Sequence, residues 1–288
     1  MAGGTTTPIL RAKSRLRCSS SSFWDSTGIV PGSDSHNGAA PYRQDNYFGG
    51  HALEDGALKE RMAGHIFAGG DIRLMNPAGL TGIWAEENTR ASLFDGMRRK
   101  ETFGTSGPPL KVRFFGGWNY TGKSVDGRDW VEKAYADGVP MGSDLPAAKA
   151  DAAPSFVVWA LKDPASGNLD RVQIVKGWAK DGQSFEKIYN VVWVGDRKPD
   201  PLTGQLPPVG STVNLEQASY ENSIGKTELK TVWKDPDFDS ALDAFYYVRV
   251  LEISTPRWTT IQAKELGVAL PANLPATVQE RAWSSPIW

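Results

Sequence analysis

Cysteine is nearly absent: Cys18 stands alone among 288 residues, which rules out an internal disulfide and fits a reducing compartment. Histidine is almost as scarce. Only His36, His51 and His65 are available to any metal site built on imidazoles. No apolar run reaches the length of a membrane-spanning helix, about 18 residues or more, so a cytoplasmic location is the default expectation. Neither sign of charge dominates. With 32 Lys and Arg against 33 Asp and Glu, the net charge of −1 argues against nucleic acid or an anionic membrane as partner. A Gly-x-Ser-x-Gly elbow, a Walker loop, a dinucleotide fingerprint and internal repeats are also missing. That removes serine hydrolases of the elbow type, P-loop enzymes and Rossmann dehydrogenases.

What is present suits a globular chain: 40% hydrophobic residues and 11 Trp. At about 100–200 residues per domain, the length suggests two domains. Residues 1–24 carry Arg11, Lys13, Arg15 and Arg17, no acid, and a serine run at 19–22. This is transit-peptide-like composition without a secretory apolar core, and it reads as a disordered or non-native leader. Gly28-Ile29-Val30 reads as the end of a short strand broken by Pro31-Gly32. The spacing of Leu53, Ala57, Leu58 and Met62 predicts one helix. A second is predicted through Leu93, Phe94 and Met97, capped by Asn88 or Thr89, with Arg98, Arg99 and Lys100 at its negative end. Beyond the Gly104-Thr105-Ser106-Gly107-Pro108-Pro109 boundary the period becomes alternating. Strands are expected around Val112 and Phe114, and over 156–161, 172–176, 188–194, 229–233 and 245–253. Asp181-Gly182 predicts a two-residue hairpin, and a late helix from Thr259 or Thr260 to Leu266 closes on Gly267. Many short strands with Gly/Pro turns imply an antiparallel sandwich.

One short motif carries chemistry. In Gly32-Ser33-Asp34-Ser35-His36-Asn37-Gly38 the carboxylate and the imidazole are two residues apart. In extended chain both project from one face, as two ligands of a metal ion would. A hydrolytic site needs at least three protein ligands and an open position for water.

The chain also resembles a known family. The residues that carry the likeness include Asn88-Thr89-Arg90, Lys100-Glu101-Thr102-Phe103-Gly104-Thr105-Ser106-Gly107 and Val112-Arg113-Phe114-Phe115-Gly116-Gly117-Trp118. They continue through Asp170-Arg171-Val172-Gln173-Ile174-Val175-Lys176-Gly177-Trp178, Trp233-Lys234-Asp235-Pro236-Asp237-Phe238-Asp239 and Thr255-Pro256-Arg257-Trp258 to Gln279-Glu280-Arg281-Ala282-Trp283-Ser284-Ser285-Pro286-Ile287-Trp288. Together they are similar to the bacterial family known as domain of unknown function 3604, from about Gly28 to Trp288. Members of that family look like metallohydrolases of the PHP (polymerase and histidinol phosphatase) type. The resemblance implies a distorted α/β barrel with a divalent metal cluster (Zn, Mn or Fe), followed by a β-rich domain. It also implies a phosphoester-like small-molecule substrate, and it places Asp34 and His36 at the closing Asp-x-His metal motif. The His-x-His motif that opens a PHP barrel does not occur upstream of Asp34.

The resulting expectation is an α+β chain in three parts. Residues 1–24 form the leader, 25–107 the remnant of the end of a PHP-type α/β barrel, and 108–288 an antiparallel β-sandwich-like C-terminal domain. Asp34 and His36 are the candidate metal ligands. His51 and Glu54, three residues apart, are candidate substrate or outer-shell groups, and His65 reads as structural. Asp235, Asp237 and Asp239 lack the glycine and distal Glu of a calcium loop and read as Asp-Pro turn chemistry. Lys111, Arg113, Phe114, Phe115 and Trp118 read as a strand with one buried face rather than a nucleic-acid platform. Arg257-Trp258 and Arg281-Trp283 read as packing at the core edge. The expected function is that of a truncated metal-dependent hydrolase with little or no activity alone. The alternatives are a non-catalytic sandwich module or a gene-fragment artefact.

Overall fold

A computed structural model describes residues 27–67, 70–147 and 152–288; the leader expected over 1–24 lies outside them. Two antiparallel sheets face each other. Strands β1 (Ile66–Phe67) and β2 (Gly70–Asp71) form a small separate pair. The first large sheet contains β5 (Lys111–Gly117), β6 (Gly138–Pro140), β7 (Ser155–Leu161) and β10 (Glu228–Lys234), in the order β10-β7-β5-β6. The second contains β3 (Leu80–Ile83), β4 (Thr102–Thr105), β8 (Leu169–Lys180), β9 (Gln183–Trp193), β11 (Ala244–Pro256) and β12 (Thr277–Ser284). Its order is β3-β4-β12-β11-β8-β9. The chain is thus a strand-rich α+β protein, and all six strands expected beyond residue 108 are present.

Period-two alternation builds the core between the sheets. Val112 and Phe114 of β5, Phe156, Val158 and Ala160 of β7, Val172 and Ile174 of β8, and Tyr246, Val248 and Val250 of β11 meet there with Phe103 and Ala282. The intervening residues Phe115 and Val157 face the opposite way and are covered by Ala134 of helix α4 (Trp130–Asp137) and by Tyr120. The β8–β9 hairpin turns at Asp181 and Gly182, both with positive φ (50° and 74°), as its two-residue loop requires.

Among the described residues four other α-helices precede or follow. Helices α1 (Ala52–Asp55) and α2 (Leu58–Ala63) replace the single helix expected across that stretch. The break has a side-chain cause. Arg61 Nη1 donates to the carbonyls of Asp55 (2.8 Å) and Gly56 (2.9 Å), which a continuous helix would offer to residues four further on. Helix α3 (Arg90–Arg98) starts on Thr89, whose hydroxyl accepts from the Ser92 N–H. Helix α5 (Trp258–Leu266) stops at Gly267, which is left-handed (φ 65°). Residues 28–30 join no sheet among the described residues; the Ile29 N–H goes to Ser285 Oγ (2.9 Å) instead of a strand. Among the described residues no helix is long and apolar enough to cross a membrane.

Candidate functional site

Two loop segments carry the candidate ligands, and glycine backbone joins them. His36 N donates to Gly50 O (2.8 Å), Ser35 Oγ to the same carbonyl (3.3 Å), and Asn37 Nδ2 to Gly49 O (3.1 Å). The second segment is fixed from below by Asp55, which is fully buried and accepts from the N–H groups of Gly50 (2.8 Å) and His51 (2.7 Å). Gly49 has φ +83°, and a Cβ there would lie 2.4 Å from the Asp55 carboxylate, so no other residue fits.

Helix α5 holds this assembly on the sandwich. Trp258 is fully buried, packs with its ring centroid 4.5 Å from that of Tyr47 at a 34° tilt, and donates from Nε1 to Met75 O (2.8 Å). Gln262 donates to Tyr47 O and accepts from Arg61 Nε (2.8 Å). Burial pushes the Tyr47 phenol up to about 12, so it stays neutral and packs as an aromatic.

Asp34 and His36 lie side by side, though not through the extended chain expected there: Asp34 has φ 50°, in the left-handed region. The His36 Nε2 to Asp34 Oδ1 distance is 4.0 Å, with the two side chains 69% and 99% exposed. His51 joins them: its ring centroid is 4.3 Å from that of His36, in an edge-on arrangement. Asp34 and His51 line one cleft of about 240 Å³ with Ser33, Tyr47 and Asn76. Glu54 does not join. His51 sits at the N-cap of α1, and Glu54 turns to His65 Nε2 at 3.4 Å. The three histidines therefore fall into a His36–His51 pair and a separate His65–Glu54 pair.

The donor types suit a divalent cation such as zinc, but number and spacing fall short. Two ligands at about 2.1 Å from a tetrahedral zinc lie about 3.4 Å apart. Asp34 and His36 are wider than that, though exposed enough to rotate inward. Among the described residues no three His, Cys, Asp or Glu side chains are grouped to hold a metal ion. The geometry is that of a half-site.

The acidic run at 235–239 is turn chemistry and pairing. Asp235 accepts from Lys176 Nζ (2.6 Å), Tyr246 OH (2.7 Å) and the Asp237 N–H (2.9 Å), and Asp239 accepts from the Ala241 N–H (2.9 Å). Asp237 pairs with Lys187 and Tyr189, so the three carboxylates do not converge. The Arg113 guanidinium lies 3.6 Å from the Trp84 ring centroid while Val112 and Phe114 enter the core.

Two features escape sequence reasoning. A second cavity of about 280 Å³ is lined by Ser166, Tyr220 and Glu280, and Ser166 donates to the fully buried Glu252 (2.5 Å). Burial raises the pKa of both Glu252 and Glu280. The other feature is a group of arginines on the outer face of the six-stranded sheet. Their signal is faint: single arginines standing at outward positions of strands that mix apolar and polar residues.

A search of curated proteins and a search of solved structures each return no match. A family model described as "Protein of unknown function (DUF3604)" matches residues 24–288, nearly the whole chain. The protein belongs to the DUF3604 family.

Proposed function

We propose that this chain is the C-terminal part of a PHP-like, metal-dependent hydrolase acting on phosphoester-type small molecules. Residues 25–107 would be the end of its barrel, with Asp34 and His36 as two ligands of its divalent metal. The observation that carries this reading is the pairing of Asp34 and His36 at 4.0 Å beside His51, with Asp34 and His51 lining a cleft large enough for a small substrate. In the complete protein a bound divalent ion would acidify water and polarise a phosphoryl oxygen. In this chain Asp34 and His36 can each offer one donor, and His51 lies within reach of a ligand in the cleft. Two donors do not cage an ion, so the isolated chain is expected to be catalytically silent.

A zinc, manganese or iron(II) titration of the purified chain, followed by calorimetry, tests this. The expected result is weak binding that Asp34→Ala and His36→Ala both abolish. Binding unchanged by either substitution would defeat the assignment. A second test reads the coding DNA immediately upstream, where a strand bearing His-x-His is expected. The competing reading is a non-catalytic sandwich module, favoured by the lack of a three-ligand group among the described residues. It predicts no metal binding at all and a cooperatively folded protein.

A further inference from the structure

The outer face of the six-stranded sheet gathers positive charge where strand pattern would place apolar or mixed residues. Arg171 of β8 and Arg281 of β12 both pair with Leu251 of β11, one on each side of it. At about 4.8 Å per strand their backbones are about 10 Å apart. Arg249, two residues along β11, shares their face and completes a triangle. The parity is fixed by the core: Val172, Val250 and Ala282 face inward, so Arg171, Arg249, Leu251 and Arg281 face out. Arg197 closes one side through Asp170 (2.6 Å).

These guanidiniums are short of acceptors. Asp170 is the carboxylate in contact, and Arg197 holds it; Arg171 reaches it only at 3.6 Å. Arg249 Nε donates to the neutral amide of Gln173 (2.8 Å), which is itself tied to Asn190 (2.8 Å). The Nε atoms of Arg171 and Arg281 and the indole N–H of Trp283 are out of water with no acceptor among the described residues. Trp283 pairs with Arg249 in register, so its N–H borders the same patch. Burial above all lowers the pKa of Arg171, Arg249 and Arg281; Asp170, Tyr247 and Glu280 respectively oppose it, and neighbouring arginines add a smaller downward push. Glu186 and Glu280, the other acids near Arg249 and Arg281, are themselves pushed toward the neutral form by burial. Half-buried like charges with unmet donors are costly unless a counter-ion completes them.

We infer that Arg171, Arg249 and Arg281 form a binding site for a small dianionic oxyanion of the phosphate or sulfate class, separate from the Asp34–His36 cleft. Guanidinium forks match the planar pairs of oxygens such an ion presents. The site depends on neither a metal nor the reading proposed above.

The test uses the full chain, titrated with sodium phosphate and with sodium sulfate at an ionic strength held constant with chloride. Calorimetry and thermal unfolding are followed together. One saturable site per chain is expected, with Arg249→Gln and Arg281→Gln each weakening it about tenfold or more. In anion-free, low-salt buffer Arg281→Gln is expected to raise Tm, because it relieves repulsion that no ligand is present to offset. A purely structural arginine would do the opposite. The inference is overturned by a non-saturable response shared by wild type and variants, which means an adventitious ion only. It is equally overturned by a response to an acidic peptide but not to phosphate, or by a lowered Tm of anion-free R281Q.

Discussion

Glu252 is fully buried, and one of its carboxyl oxygens, Oε1, has no hydrogen-bond partner among the described residues. Burial pushes this carboxyl up to about 8, against the opposing hydrogen bond from Ser166, and nearby Glu280 adds to the rise. The folded chain therefore keeps a proton that the unfolded chain releases near its ordinary value of about 4.5. Between those two values the native state binds more protons, so stability falls as pH rises and levels off above about 8. Glu252→Gln retains the shape without the titration. Its stability is expected to equal wild type near pH 4 and to exceed it by on the order of 2–4 kcal/mol near pH 9. Urea unfolding across that range checks this, and parallel curves for the two proteins would refute it. Glu280 titrates in the same sense, so some slope persists in the variant. The position of Glu252 was legible in part. The parity of Tyr246, Val248 and Val250 already points it inward, but Ser166 lies 86 residues away and no local pattern links the two.

At the scale of elements, α5 does more than its nine residues suggest. It receives Tyr47 on Trp258, Arg61 on Gln262, and the carbonyls of Arg73 and Met75 on Arg257. The stretch carrying His51 thus depends on a helix some 200 residues further along. Trp258→Ala removes a fully buried indole and is expected to cost about 3–5 kcal/mol. The loss should be local. Hydrogen exchange in residues 40–76 is expected to accelerate, while β8 and β11, paired over nine positions, keep their protection. Uniform acceleration across both regions would show that α5 supports the sandwich rather than the site. The sequence announced α5 through Gly267 and the β8–β9 hairpin through Asp181-Gly182, because those devices are local backbone chemistry. It did not announce the break between α1 and α2, because Arg61 breaks that helix only when Gln262 and the Asp55 and Gly56 carbonyls are assembled around it. The Asp34–His36 pair was legible because its members are only two positions apart; the approach of His51 depends on Gly50 accepting from His36, a contact between segments.

For the whole molecule, the sequence places a boundary at 107/108, at the glycine- and proline-rich turn, and the hydrogen bonding crosses it. Thr102–Thr105 pairs with β12 through Ala282↔Thr105, Trp283↔Gly104 and Ser284↔Phe103, and Leu80–Ile83 pairs in turn with β4. Phe103 is part of the sandwich core, and Thr102 O accepts from the Ser285 hydroxyl (2.6 Å). A fragment of residues 108–288 would therefore expose the edge of β12 and lose one wall of the core, whereas a fragment of 76–288 would keep both. An unpaired edge next to buried aromatics is a template for association. The shorter fragment is expected to elute as oligomers or aggregates and to unfold at lower urea. The longer one should be monomeric, with a midpoint above that of 108–288 but below that of the full chain, because it loses Tyr47 and the Arg73 and Met75 carbonyls from α5. Size-exclusion chromatography and urea titration on the three proteins decide the matter. If 108–288 is monomeric and unfolds at the same midpoint as 76–288, β3 and β4 only rest on the sheet, and the glycine–proline turn is a true domain boundary. If it fails as expected, the six-stranded sheet is one cooperative unit, and the Asp34–His36 segment, laid across Gly104 through Ile29 and Pro31, is anchored to that unit rather than to an independent domain.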